Sequence, residues 1–390
     1  MLAATLLYLV SYLVFSFSTK WLALPHPDTP PVDGLTLLPA SMLCCAVVWL
    51  LGLFVEAAVT TARLRLQARH LRLDVVRELR SDGVYVTTGP HDYIALPLYR
   101  RILPLLFTRD VIVAATASAA ILISSTLAYS RAEVSLLLPL LLMKGGVNLW
   151  GPVVSWLRGD GVTARARVVL GLALVAVVAV LWDKVSLHAS FAVTITVAYA
   201  AVYVAAYFPK LEVISRYRGN YDFLMAEMTS TLVVALPIAV VVGWAHAWQG
   251  LGSATDGVWA LDVLRNLFAA VAASTHTTMA LLQRPVVWIM ALASEGAGLF
   301  GGLVFFARMS STLSVPLNRC TSLIAGVAAT AALWSLTHDG GIVGYLTSSR
   351  NRPELVGVAV MMVALWIGLG GGSRVAASSG QRAGGIVAAA

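Results

Sequence analysis

This sequence predicts an all-α polytopic membrane protein, with about ten transmembrane helices arranged as two inverted five-helix repeats. Three observations predict it. The 390 residues are 59% hydrophobic and only 12% charged, where a soluble domain carries about 25% charge. The apolar residues come in continuous runs such as "VVLGLALVAVVAVLW", without the alternation of a barrel strand, and hydrocarbon leaves helices and closed barrels as the only spanning structures. A short gapless match between two of these runs supplies the repeat.

Taken in order, the runs close to the roughly 20 residues that span a bilayer fall at 2–19, 36–56, 110–130, 133–157, 167–183, 189–208, 223–245, 285–307, 311–335 and 354–371. The first opens apolar, with neither a basic stretch nor a small-residue cleavage site, and reads as a retained span instead of a signal peptide. With the N-terminus in the cytoplasm, inside segments hold 18 of the 27 Lys and Arg, nine of them within 57–109, and outside segments hold seven. Cytoplasmic loops carry such an excess, so both termini are expected in the cytoplasm. The net charge of +8 is then an orientation signal with contact to anionic membrane lipids. Nucleic acid is set aside as a partner, because no aromatic-basic recognition module is visible.

The first repeat is expected over 1–188 and the second over 189–371, each with a long connection. The first connection, 59–109, starts as a basic amphipathic helix on the inner surface and closes with Gly, Pro and Asp punctuation. The second, 247–284, repeats apolar residues at three and four spacing around Asp262, Arg265 and His276. It reads as an in-plane or re-entrant helix on the outer side, with an extra span over 259–281 left open. Residues 372–390 read as a disordered tail.

No cofactor or metal site is expected. Cys44, Cys45 and Cys320 fall inside apolar runs, where a thiol packs as a small hydrophobe. "GLGGGSR" lacks the strand-to-helix context of a dinucleotide loop. No paired aspartates, HExxH or Ser-His arrangement lies in the spans, so the chain is not expected to be an enzyme.

The repeat comes from "MKGGVNLWGPVV" and "NRCTSLIAGVAA": registering Lys144 on Arg319 places Gly151 on Gly326, and Pro139 and Pro316 precede the two stretches. Each stretch is fourth in a block of five spans, and because five is odd the second block runs in the opposite direction. With "TLAYSRAEVSLLLPLL", "RGDGVTARARVVLGLALVAVVAVL" and "GLVFFARMSSTLSVPLNRCTSLIAGVAA", the chain resembles the drug/metabolite transporter superfamily, ten-helix carriers that include EamA-type exporters, nucleotide-sugar transporters and triose-phosphate translocators. The resemblance covers roughly 110–183 and 285–371. It implies a central cavity, with basic residues on the fourth and ninth helices facing it, the helices that carry Lys144 and Arg319.

Charges in hydrocarbon cost about 2.5–3.5 kcal/mol on insertion scales and usually face a cavity or a partner. Lys144 and Glu295 are deepest; Arg319 is near enough to a helix end for its stem to snorkel to the headgroups, and Glu227 reads as interfacial. On one reading Lys144 pairs with Glu295 and merely ties the repeats together. On the other, Lys144 and Arg319 are anion ligands, the arginine fork suiting phosphate or carboxylate, with Glu295 a counter-charge or proton site. Gly145 and Gly146 would leave room beside the amine. Asn148 shares the face of Lys144, for the same ligand or for an interhelical contact, and Trp150 extends that helix. Tyr199, Tyr203 and Tyr207 form a stripe on the sixth span, for packing or for the site. His276 reads as a surface residue.

The expected function is a secondary transporter moving an anionic organic solute, such as a phosphorylated metabolite, a sugar conjugate or a lipid-linked phosphate, by alternating access. An EamA-like exporter of amino acids or neutral metabolites is a close variant. A non-transporting membrane scaffold or lipid-binding protein, working through its basic 63–80 segment, is the alternative from another class. Partners are then a small-molecule or lipid substrate and membrane lipids, with a homodimer left open. The absence of a targeting peptide and an Ala-rich, Arg-over-Lys composition point to a bacterial inner membrane.

Overall fold

Long runs of leucine, valine and alanine can satisfy their backbone in hydrocarbon by coiling into helices, and the computed structural model is helical through its apolar sequence. It describes residues 2–27, 29–71, 76–80, 83–87, 93–95, 97–148, 150, 153, 164–188, 190–217, 220–250, 259–306, 311–337, 341–348 and 351–369. In chain order come α1 (Leu2–Ala23), α2 (Gly34–Leu71), strands β1 (Val76–Arg80), β2 (Gly83–Thr87) and β3 (Tyr93–Ala95), then α3 (Leu98–Ile102), α4 (Arg109–Tyr129) and α5 (Leu137–Val147). They are followed by α6 (Ala164–His188), α7 (Phe191–Arg216), α8 (Tyr221–Gly250), α9 (Trp259–Leu282), α10 (Pro285–Phe306), α11 (Ser311–Thr337), α12 (Gly341–Thr347) and α13 (Arg352–Leu369).

Among the described residues seven helices, α1, α2, α4, α7, α8, α10 and α11, are long and apolar enough to cross a bilayer. The chain is an integral membrane protein by that measure. α5 is shorter than the expected 133–157 span: its helix ends at Val147, where the Asn148 N–H turns back to Gly145 O at 3.1 Å. Two adjacent glycines, each about 1 kcal/mol poorer than alanine in a helix, precede that end. Most of 149–163 lies outside the described residues, as does the expected tail at 372–390.

The first long connection differs from its expected form. α2 continues unbroken to Leu71, 38 residues in one helix, so the basic segment extends the second span and does not start as a separate surface helix. β1, β2 and β3 then form an antiparallel meander, pairing Glu78 with Tyr85 and Tyr85 with Ala95. The basic side chains of 63–80 lie outside the described residues. In the second connection α9 is a helix that packs on α8 and α2, where Gly243 admits Pro39 and Ser274; it is not among the seven.

Polar contacts close the two ends of the bundle. At one end Arg101 pairs with Asp222 at 3.2 Å, and the Tyr217 hydroxyl donates to Asp110 at 2.7 Å. At the other, the Lys20 ammonium donates to the carbonyls of Arg131, Ala132 and Val134 across the α4–α5 turn, and Ser135 donates to Glu354 at the start of α13.

Between the ends the main packings come in matched sets. α1 lies on α10 and α11, and α7 lies on α4 and α5; α4 on α8 answers α10 on α2; α5 on α6 answers α11 on α13. α2 on α8, α6 on α13 and α5 on α11 are each unchanged when α1, α2, α4, α5 and α6 are exchanged for α7, α8, α10, α11 and α13. Glycines permit the closest of these approaches: a Cβ on Gly326 would stand 2.4 Å from Leu140 Cδ2, and one on Gly301 would stand 2.9 Å from the Tyr8 ring.

Candidate functional site: an aromatic chamber with buried cations

Two helices supply the aromatic wall. On α1, Tyr8, Tyr12 and Phe15 follow one another at four and three residues, and on α7 Tyr203, Tyr207 and Lys210 do the same, so each set faces one way. All six line a cavity of about 150 Å³, closed further by α4, α5, α8, α10 and α11. Its charged walls are Lys144, Lys210, Glu227 and Glu295.

Lys144 is 3% exposed. Its Nζ donates to the Tyr203 hydroxyl at 2.7 Å and lies 4.5 Å from the Tyr12 ring centroid and 5.1 Å from that of Tyr203. A desolvated cation–π contact contributes about 2 kcal/mol, so two rings and a hydroxyl offset an insertion cost of about 3 kcal/mol without any acid. Among the described residues Lys144 makes no ion pair. The reading in which it pairs with Glu295 is not the arrangement found: both line the chamber, and Glu295 sits beside Cys45, whose thiol donates to Ala291 O at 3.8 Å.

Arg319 does not snorkel. It is fully buried, with its guanidinium carbon 4.3 Å from the Tyr207 centroid and 5.7 Å from that of Phe305, two rings of the chamber wall. Its polar neighbour is the Tyr207 hydroxyl, and among the described residues no acid pairs with it. Its neighbour Asn318 accepts from the Tyr8 hydroxyl at 3.3 Å. That contact joins α1 to α11, as Lys144 on Tyr203 joins α7 to α5.

Glu227 is 2% exposed, accepts from Ser118, and pairs with Lys210 at 3.1 Å. Lys210 reads from sequence as an inner-loop charge, because a helix usually ends before a proline and Pro209 precedes it. α7 runs through Pro209 to Arg216, and this carries Lys210 into the wall. A second signal is legible only with the fold in hand: Thr5, Tyr8 and Tyr12 on α1 have the same spacing as Thr196, Tyr199 and Tyr203 on α7.

The other expected residues stand apart from the cavity wall. Asn148 donates to Met361 Sδ at 3.4 Å, an interhelical contact. The Trp150 indole donates to Val204 O at 2.5 Å and packs against Phe208, and Tyr199 packs partly buried against the core. The two glycines beside Lys144 leave no room there. Val177 and Met361 fill the space at Gly145, and Val204 fills it at Gly146. His276 is exposed on α9.

Comparison with protein-family models gives no match, and comparison with curated proteins gives none either. The chamber must therefore be read from its own chemistry. Phenols and phenyl rings shield cations without neutralising them, which leaves positive potential for an anion to meet.

Proposed function

We propose that this chain is a secondary transporter that moves an anionic organic solute by alternating access of two inverted five-helix repeats, α1–α6 and α7–α13. The observation that carries the reading is a chamber whose Lys144, and whose Arg319 directly behind the wall, have no acid partner among the described residues. The rings offset the cost of burying these charges without neutralising them, so an entering carboxylate or phosphate would find them available.

Two features support the repeat. The matched helix packings are those an inverted pair of five-helix units would make, and Lys144 and Arg319 occupy corresponding helices, Lys144 beside Tyr12 of its own unit and Tyr203 of the other, Arg319 beside Tyr207 of its own unit. The cavity of about 150 Å³ carries two lysines, Lys144 and Lys210, in its wall, a lining that suits an anion. The resemblance to the drug/metabolite carriers agrees with this plan. The same reading places the termini in the cytoplasm of a bacterial inner membrane.

Lys144→Met is the deciding variant. Substrate uptake or counterflow into proteoliposomes should fall at least about a hundredfold, the scale of a lost charge-assisted contact, while the protein elutes as a folded species. Undiminished transport would exclude a required cation at this position.

A further inference from the structure

Lys210 is the charged group of the chamber for which the transporter reading so far has no task. It stands seven residues past Tyr203 on the same face of α7, and at about 1.5 Å per residue its Cα is roughly 10 Å nearer the end where Arg101 meets Asp222. Its Nζ donates to Ser118 Oγ of α4 at 2.6 Å and meets Glu227 Oε1 of α8 at 3.1 Å, the same oxygen to which Ser118 donates.

The two partners are unequally held. The Glu227 side chain is 2% exposed and that of Lys210 is 19% exposed, so the carboxylate is fixed from behind by a hydroxyl while the ammonium stands on the open side. Any anion in the chamber offers Lys210 the same charge that Glu227 does, so the exchange keeps the ammonium paired. Lys144 on the same cavity has no acid of its own, so a ligand with two anionic groups would satisfy both amines.

The geometry points to Lys210 as a second cationic subsite of the chamber, occupied by Glu227 while the chamber is empty and given over to the second anionic group of a ligand whose first group lies at Lys144. This rests on the anion-carrier reading. It adds a consequence: the exchange opens the Ser118–Lys210–Glu227 contact, which ties α4, α7 and α8 together. Arrival of a two-headed anion thus loosens the helices toward the end where Arg101 meets Asp222, whereas a single-headed anion leaves them tied.

The test uses the full chain in lipid nanodiscs, with inorganic pyrophosphate as the two-headed probe and inorganic phosphate as the single-headed one, both free of divalent metal. Glu227→Gln, which removes the competing charge, should tighten pyrophosphate binding by about tenfold and change phosphate binding much less. Lys210→Gln should abolish any preference for pyrophosphate. Lys210→Gln covers the case in which Glu227→Gln does not fold. Pyrophosphate affinities within twofold of wild type in Glu227→Gln and Lys210→Gln, with Lys144→Met still losing both probes, would reduce the contact to an interhelical tie and overturn this inference while leaving the carrier reading intact. Wild-type protein that binds neither probe would overturn both.

Discussion

An amine in hydrocarbon costs about 2.5–3.5 kcal/mol by insertion scales, and at Lys144 that cost is met by aromatic rings. Tyr203 serves twice, as hydroxyl acceptor and as ring. Tyr203→Phe keeps the ring and removes the acceptor, so anion binding should weaken by about three- to tenfold, the scale of one net hydrogen bond of roughly 1 kcal/mol; equilibrium binding of phosphate to the variant measures it. Tyr12→Leu removes the nearer ring and should lower thermal stability more than Tyr203→Phe does. Lys144, Glu295 and Arg319 were legible in the sequence because charge is rare in an apolar run. Lys210 was not, because a lysine just past a proline looks like loop.

At the scale of the helix, proline and glycine carried the ambiguity. Pro209 lies inside α7, and Pro39 and Pro237 lie inside α2 and α8; in a bundle, neighbours hold a helix together that would end in isolation. The paired glycines of α5 are contact points for α6, α7 and α13. Gly146→Ala would place a Cβ 2.5 Å from Val204 Cγ2, a stiff branched side chain, and should cost about 1–2 kcal/mol after the gain in helix propensity. Gly171→Ala on α6 meets nothing within 4 Å and should gain up to about 1 kcal/mol. Opposite shifts in melting temperature in detergent would separate packing glycines from lipid-facing ones. From sequence alone both look like glycines in an apolar run.

Across the whole molecule the two ends differ in how they are held. The Lys20 end is fastened by one ammonium on three carbonyls and by the Asp33 contacts with Arg131 at 3.9 Å and His246 at 3.7 Å. Lys20→Met should destabilise the fold by about 1–3 kcal/mol, because buried carbonyls lose their donor, and thermal unfolding reads the loss. If alternating access requires that end to open, cysteines in place of Asp33 and Arg131, bridged by a short bis-methanethiosulfonate reagent, should stop transport in proteoliposomes, and reduction should restore it. Transport that persists through complete cross-linking would place the moving gate elsewhere.

The sequence by itself determined that the chain is helical and membrane-embedded, because hydropathy and charge scarcity act locally, lipid admits only helices and closed barrels, and the apolar runs lack a barrel strand's alternation. It also marked the charges that had to turn inward. Tertiary structure decided which rings surround each of them, that Glu227 and Lys210 meet across α7 and α8, that Asn148 turns to Met361, and that the glycines beside Lys144 are filled. Those outcomes depend on the rotation of each helix about its axis and on its depth against neighbours. Hydrophobic periodicity cannot fix either where every face of a helix is apolar and lipid and protein interior solvate it alike.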